Sequence, residues 1–95
     1  MQPNDPLAFD AFADTHPIGT VVTGSVEDVR EFGAFCQLAE GVQGLLMVVD
    51  FGDPPKRFEY PGDYPRVGDF ITATIVRIDR SQLLLRLSRR SGAAE

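Results

Sequence analysis

The sequence predicts an all-β protein, a five-stranded barrel with a short N-terminal helix and a long loop between strands three and four. Three observations predict it. From Thr20 onward the chain is rich in Val and Thr, in runs where apolar and polar residues alternate with the period of a half-buried strand. Glycines punctuate these runs, as the corners of a small barrel require. The stretch FGDPPKRFEYPGDYPR, residues 51–66, holds four prolines and two glycines and interrupts the strand pattern once, after the third apolar run.

Residues 4–15, NDPLAFDAFADT, read as the helix. Asn4 or Asp5 serves as its N-cap and Pro6 suits the first helical position, where its missing N–H costs nothing. Leu7, Phe9 and Phe12 supply an apolar side, and HPIG (His16 to Gly19) ends the element. A helix this short needs something to pack on, and three roles are open for it: a plug for one barrel end, a docking element, or a lid folded back over Phe32 and Phe35.

The first strand follows in GTVVTGSVEDV, where Gly24 marks a bulge or a sharp bend. GAFCQLAE alternates, with Ala34, Cys36 and Leu38 on one face and Phe35 and Gln37 on the other. A turn at EGVQG leads into VQGLLMVV. After the long loop, FITATIVRID places Ile71, Ala73 and Ile75 on one face. LLLRLS then puts Leu83, Leu85 and Leu87 inward and Arg86 outward. The organisation expected is a helical extension over 1–16, a barrel over 17–89 and a flexible tail over 90–95.

Composition narrows the function. The chain has 95 residues, enough for one core. A net charge of −5 argues against bulk electrostatic binding to nucleic acid or anionic lipid, yet it leaves room for a local basic patch. The charge is uneven: Asp5, Asp10 and Asp14 crowd the start, and Arg77, Arg80, Arg86, Arg89 and Arg90 crowd the end. These ends either attract each other or leave the basic one for a ligand. Cys36, the single cysteine, reads as a small core residue. With one Cys and one His, no zinc cluster of the usual kind is expected. His16 has no nucleophile or carboxylate at a recognisable spacing, and no glycine loop cradles phosphate, so neither an enzyme nor a cofactor is expected. No apolar run approaches the roughly 20 residues of a membrane helix, and the first residues carry acid and proline where a leader carries base, so the expected compartment is the cytoplasm.

Several phrases, in order and at family spacing, carry a resemblance: GTVVTGSV, FGAF, GVQGLL, VGD and IDR…LRLS. Together they resemble the RNA-binding domain repeated in ribosomal protein S-one, over residues from about Ile18 to Ser88. The resemblance implies an OB-fold barrel that binds single-stranded RNA weakly and with low sequence selectivity. In it, Phe32 and Phe35 match the stacking phenylalanines, with Gly33 as a kink that lets both reach one face. The competing role for either ring is to cap the core. Met47 stands where the family carries a stacking histidine. Asp79 matches a family aspartate, and the arginine expected a few residues later falls on Leu83 or Leu84, which makes Arg80 and Arg86 the nearby candidates. Lys56, Arg57, Arg66 and Arg77 join Arg80 and Arg86 either in a phosphate track or in a solvated surface that balances nearby Asp and Glu. Tyr60 and Tyr64 either extend the aromatic platform or pack within the loop. The alternative function is a protein-interaction module that kept the barrel and lost RNA binding, using the N-terminal helix or an apolar patch from Met47 to Phe51.

Overall fold

The structure, a computed structural model, describes residues 4–52 and 58–89. Helix α1 (Pro6–Thr15) is capped by Asp5, whose carboxylate accepts from the Ala8 N–H at 2.9 Å, and Pro6 fills the first helical position. Its buried face is Phe9, Phe12 and Ala13, the i, i+3, i+4 stripe of an amphipathic helix. Leu7 is not part of that face. It stands about 200° around the helix from Phe9 and is 81% exposed, against 0% for Phe9. At the C-terminal end the His16 ring stacks on Phe12 with centroids 4.0 Å apart.

Five strands follow: β1 (Val21–Arg30), β2 (Gly33–Ala39), β3 (Val42–Met47), β4 (Phe70–Asp79) and β5 (Leu84–Ser88). They close a barrel in the order β1-β2-β3-β5-β4. Every pair is antiparallel except β3 with β5. Closure rests on β1, which pairs with β4 from Val21 to Ser25 and with β2 from Ser25 onward. Gly24 sits at this handover: a Cβ there would lie 2.7 Å from the Gln37 carbonyl oxygen and 2.8 Å from Leu38. The bend expected at Gly24 is thus a place of close backbone approach, while the register slip lies further along, between Val26 and Asp28.

The alternation read from the sequence holds in the core. Ala34, Cys36, Val42, Leu46, Ile71, Ala73, Ile75, Leu85 and Leu87 all point inward and are buried. Leu83 packs partly against this core from the β4–β5 turn, with a left-handed φ of 53° that few apolar residues adopt.

Helix α1 covers one barrel end. The Asp5 N–H donates to the Gly41 carbonyl at 3.0 Å. The Asn4 amide donates to the Gln43 and Leu83 carbonyls at 3.1 and 3.0 Å and accepts from the Gln43 N–H at 2.7 Å. One side chain so joins the helix start to β3 and to the β4–β5 turn. Arg80 adds ion pairs to Asp10 at 3.2 Å and Asp14 at 2.8 Å, the attraction between acidic start and basic end that the charge distribution allowed. Both are exposed pairs that solvent screens, so Phe9 and Phe12 hold the helix more than Arg80 does.

The opposite end is covered by the long connection. A 3₁₀ turn (Val48–Asp50) delivers Phe51, which meets Phe58 edge-on at 5.4 Å and Tyr64 at 4.9 Å. The Tyr64 hydroxyl donates to the Glu31 carbonyl and ties this lid to the β1–β2 turn. Burial raises the Tyr64 pKa, with smaller contributions from Glu31, Tyr60 and Glu59. No helix among the described residues is long and apolar enough to cross a membrane.

Two outcomes are expected. Phe9→Ala lowers stability by about 3–5 kcal/mol in urea unfolding, as large-to-small core changes do, while Leu7→Ala leaves the midpoint nearly unchanged. Burial, reinforced by Glu27, pushes the Cys36 thiol up to about 11. The native protein should therefore resist alkylation near pH 8, about where a free thiol already ionises, and react promptly once unfolded, as followed by mass spectrometry.

Candidate nucleic-acid interface

The β1–β2 turn, Glu31 and Phe32, is held from two sides. Val48 N–H donates to the Phe32 carbonyl at 2.9 Å, and Tyr64 holds the Glu31 carbonyl. Phe32 is thereby fixed at the mouth of β2, and the residue is 48% exposed. Phe35 stands on the outer face of β2, because Ala34 and Cys36 beside it take the inward positions at 0% exposure. The two rings meet edge to face, with centroids 5.9 Å apart and planes at 85°. Neither ring caps the core, and no described contact of α1 reaches them.

Gly33 between them works differently from the kink expected. It has no left-handed φ. Its Cβ would strike the Leu46 carbonyl oxygen and lie 2.8 Å from the Met47 Cα. Glycine is needed there because β3 runs too close for any side chain.

Strand register lays out the surface around Phe35. Asp28 of β1 pairs with Phe35, Phe35 with Leu45 of β3, Leu45 with Arg86 of β5, and Arg86 with Arg77 of β4. The row across the barrel wall is Asp28, Phe35, Leu45, Arg86, Arg77. One step toward the barrel mouth, Met47 pairs with Gly33 and is half-buried beside the Phe32 turn.

Arg86 is positioned from beneath. Its Nη2 donates to Asp50 Oδ2 at 3.1 Å, and the other Asp50 oxygen accepts from Ser88 Oγ at 3.0 Å. Asp50 is 6% exposed as a residue. Among the described residues Arg86 Nε is buried and finds no partner. Sequence reasoning missed Asp50, since it ends the apolar run LLMVVD and its partners lie 36 and 38 positions away. The available signal was a lone acid closing that run.

The remaining candidates scatter. Asp79 ends β4, two positions beyond Arg77, and its Oδ1 accepts from Ser81 Oγ at 2.7 Å, Ser81 N–H at 3.1 Å and Gln82 N–H at 3.2 Å. The Ser81 hydroxyl, then the Gln82 amide, lower its pKa, with Arg77 adding to them from 3.6 Å. Its carboxylate closes the turn. Arg80 is turned toward α1, away from the rings. Lys56 and Arg57 lie outside the described residues, as do 90–95. Arg66 is exposed at the end of the long connection. Tyr60 is 47% exposed and packs edge-on against the buried Tyr64 at 5.0 Å, so these tyrosines serve the loop and do not join the Phe32–Phe35 pair. The expected Met47-to-Phe51 patch is broken, because Phe51 is 4% exposed and only Val49 stands out, at 57%.

Comparison with known proteins agrees with this barrel. The chain is 37% identical over 78 residues to the polyribonucleotide nucleotidyltransferase of Myxococcus xanthus, covering 82% of this chain and 10% of that protein. It is 34% identical over 77 residues to the small ribosomal subunit protein bS1 of Mycolicibacterium smegmatis, covering 81% of this chain and 16% of that one. The chain thus spans a small part of the length of these relatives. Among solved structures, a chain of the a/eIF2alpha-aDim2p-rRNA complex of Pyrococcus horikoshii superposes with a TM-score of 0.66 at 25% identity, over 77% of this chain and 44% of that chain. The profile of the S1 RNA binding domain matches residues 15–90. With its five-stranded closed barrel and this match over most of its length, the chain belongs to the S1 RNA binding domain family.

Proposed function

We propose that this chain binds single-stranded RNA weakly and with little sequence selectivity, by stacking bases on Phe32 and Phe35. The observation that carries this reading is the pair of outward rings at 5.9 Å, one on the doubly bonded β1–β2 turn and one on the outer face of β2, while the inward positions beside them are filled by other residues. Unpaired bases stack on such rings whatever their identity, at about 1–3 kcal/mol per base. Met47 offers a thioether beside the turn, an apolar contact with no charge and no donor. Arg86 and Arg77, in line with Phe35 across the wall, supply positive charge for the phosphates.

The phosphate contribution is modest on this reading. Arg77 shares its charge with Asp79, Arg86 with Asp50, and Arg30 with Asp28 at 3.0 Å. A phosphate must compete with a carboxylate at each of these positions. Asp79 and Arg80 act mainly through the turn and the helix they hold. Stacking therefore dominates, and the expected affinity is roughly micromolar, about −8 kcal/mol.

Titration of a labelled single-stranded oligonucleotide tests this. The Phe32→Ala, Phe35→Ala double variant should lose most of the affinity, and a double variant that binds as well as the parent refutes the stacking role. The logarithm of the parent's binding constant should fall against the logarithm of salt with a slope of about −0.7 per phosphate neutralised. A small total slope is expected, because few arginines are free of acidic neighbours.

A further inference from the structure

Beside the Phe32 turn the barrel end carries an open cleft of about 350 Å³. Its floor and walls include Phe51 and Tyr64, and its polar lining is Asp63, Asp69 and Arg89. Phe70, the first residue of β4, also lines it, and the residue is 80% exposed. The cleft is separate from the Phe35 row but joined to the Phe32 turn, since Tyr64, one of its walls, donates its hydroxyl to the carbonyl of Glu31.

We propose that this cleft is a second nucleobase subsite, with Phe70 as the stacking ring and Asp63 and Asp69 selecting bases with donor edges. The inference rests on the RNA-binding reading above and adds a place where base identity is read. Each carboxylate is oriented by a backbone N–H on one oxygen: Glu59 N–H to Asp63 Oδ2 at 3.0 Å, and Arg66 N–H to Asp69 Oδ2 at 2.9 Å. Among the described residues no hydrogen bond holds the other oxygen of either. A carboxylate only accepts hydrogen bonds. Guanine presents two adjacent donors, its ring N–H and exocyclic amine, to one such group. Adenine and cytosine present an exocyclic amine, whereas uracil presents a single ring N–H flanked by two carbonyl oxygens that a carboxylate repels. The order of preference follows as guanine first and uracil last. Arg89 provides the positive charge for the accompanying phosphate, its backbone fixed by donation to the Asp50 carbonyl at 3.0 Å. A cleft of this volume lies within the usual range for small-ligand sites and accepts one base.

The test is fluorescence anisotropy with single-stranded RNA of two lengths, about ten nucleotides and about four, the longer able to span both ring surfaces. The longer RNA is made with and without guanosine in place of uridine. Phe70→Ala should weaken the longer RNA about tenfold, in line with the loss of one stacked base, and leave the shorter one unchanged. Asp63→Asn with Asp69→Asn should bring the guanosine-to-uridine affinity ratio close to one. All three substituted positions are described at or near the surface, and Cys36 protection from alkylation checks that each variant is folded. If Phe70→Ala binds both RNAs like the parent, the subsite is overturned. If Phe32→Ala with Phe35→Ala alone abolishes binding in that case, the stacking reading stands without it. If Phe70→Ala instead abolishes capture of an oligo-arginine peptide and leaves RNA untouched, the cleft serves a basic protein and the proposal is overturned. A parent that binds neither RNA overturns both readings together.

Discussion

From Val21 to Ser25 strand β1 bonds to β4, and from Ser25 to Arg30 it bonds to β2, so a single strand serves both edges of the sheet and closes it. The handover is possible because Gly24 leaves room for the β2 backbone, whose Gln37 carbonyl would otherwise meet a Cβ at 2.7 Å. Much else follows from that closure. It brings β3 beside β5, the only parallel pair among the described residues, and thereby sets Leu45 against Arg86. It also leaves two open ends. Helix α1 covers one, and the aromatic group of Phe51, Phe58 and Tyr64 covers the other.

A second close approach shapes the proposed RNA-binding face. Gly33 admits β3 against β2 at the point where Phe32 turns the chain. With the backbones that close, Val48 can hold the Phe32 carbonyl and Tyr64 the Glu31 carbonyl. The exposed ring is therefore mounted on a turn fixed at both residues. On the proposed stacking reading, a turn held this way lowers the entropy lost when a base lies on the ring.

Charge is distributed so that little of it is uncommitted. The chain is acidic overall, at −5, and its described arginines near the interface each have an acidic neighbour. The Asp50–Arg86 pair is the most buried of these, and Ser88 completes it. Pairs of this kind contribute more to orientation than to net stability, because desolvation offsets much of the attraction. Here the orientation keeps an arginine in the same cross-strand row as Phe35, with Leu45 between them, in an acidic protein. The Arg80 pairs lie at the other end and bind the helix to the barrel, which is why one of the four terminal arginines among the described residues turns away from the interface.

What the sequence by itself determined is what depends on neighbours along the chain. Alternation in GAFCQLAE put Phe35 outside and Ala34 and Cys36 inside, and the proline-rich stretch announced the long third connection; both hold. The helix was legible from Asp5 and Pro6, yet its inner face was not: Leu7 and Phe9 are equally apolar, and only the position of the barrel end decides that Phe9 is covered. The same limit applied to Gly33, where the reason for glycine is a β3 backbone that arrives 13 or 14 positions later. It applied to Arg80 and Arg86, alike in a basic stretch and separated by whether α1 or Asp50 folds against them. Periodicity reports which side of a strand a residue occupies, because that is set by backbone geometry alone. Which charged group it meets there is set by closure of the barrel, and closure is a property of the whole fold.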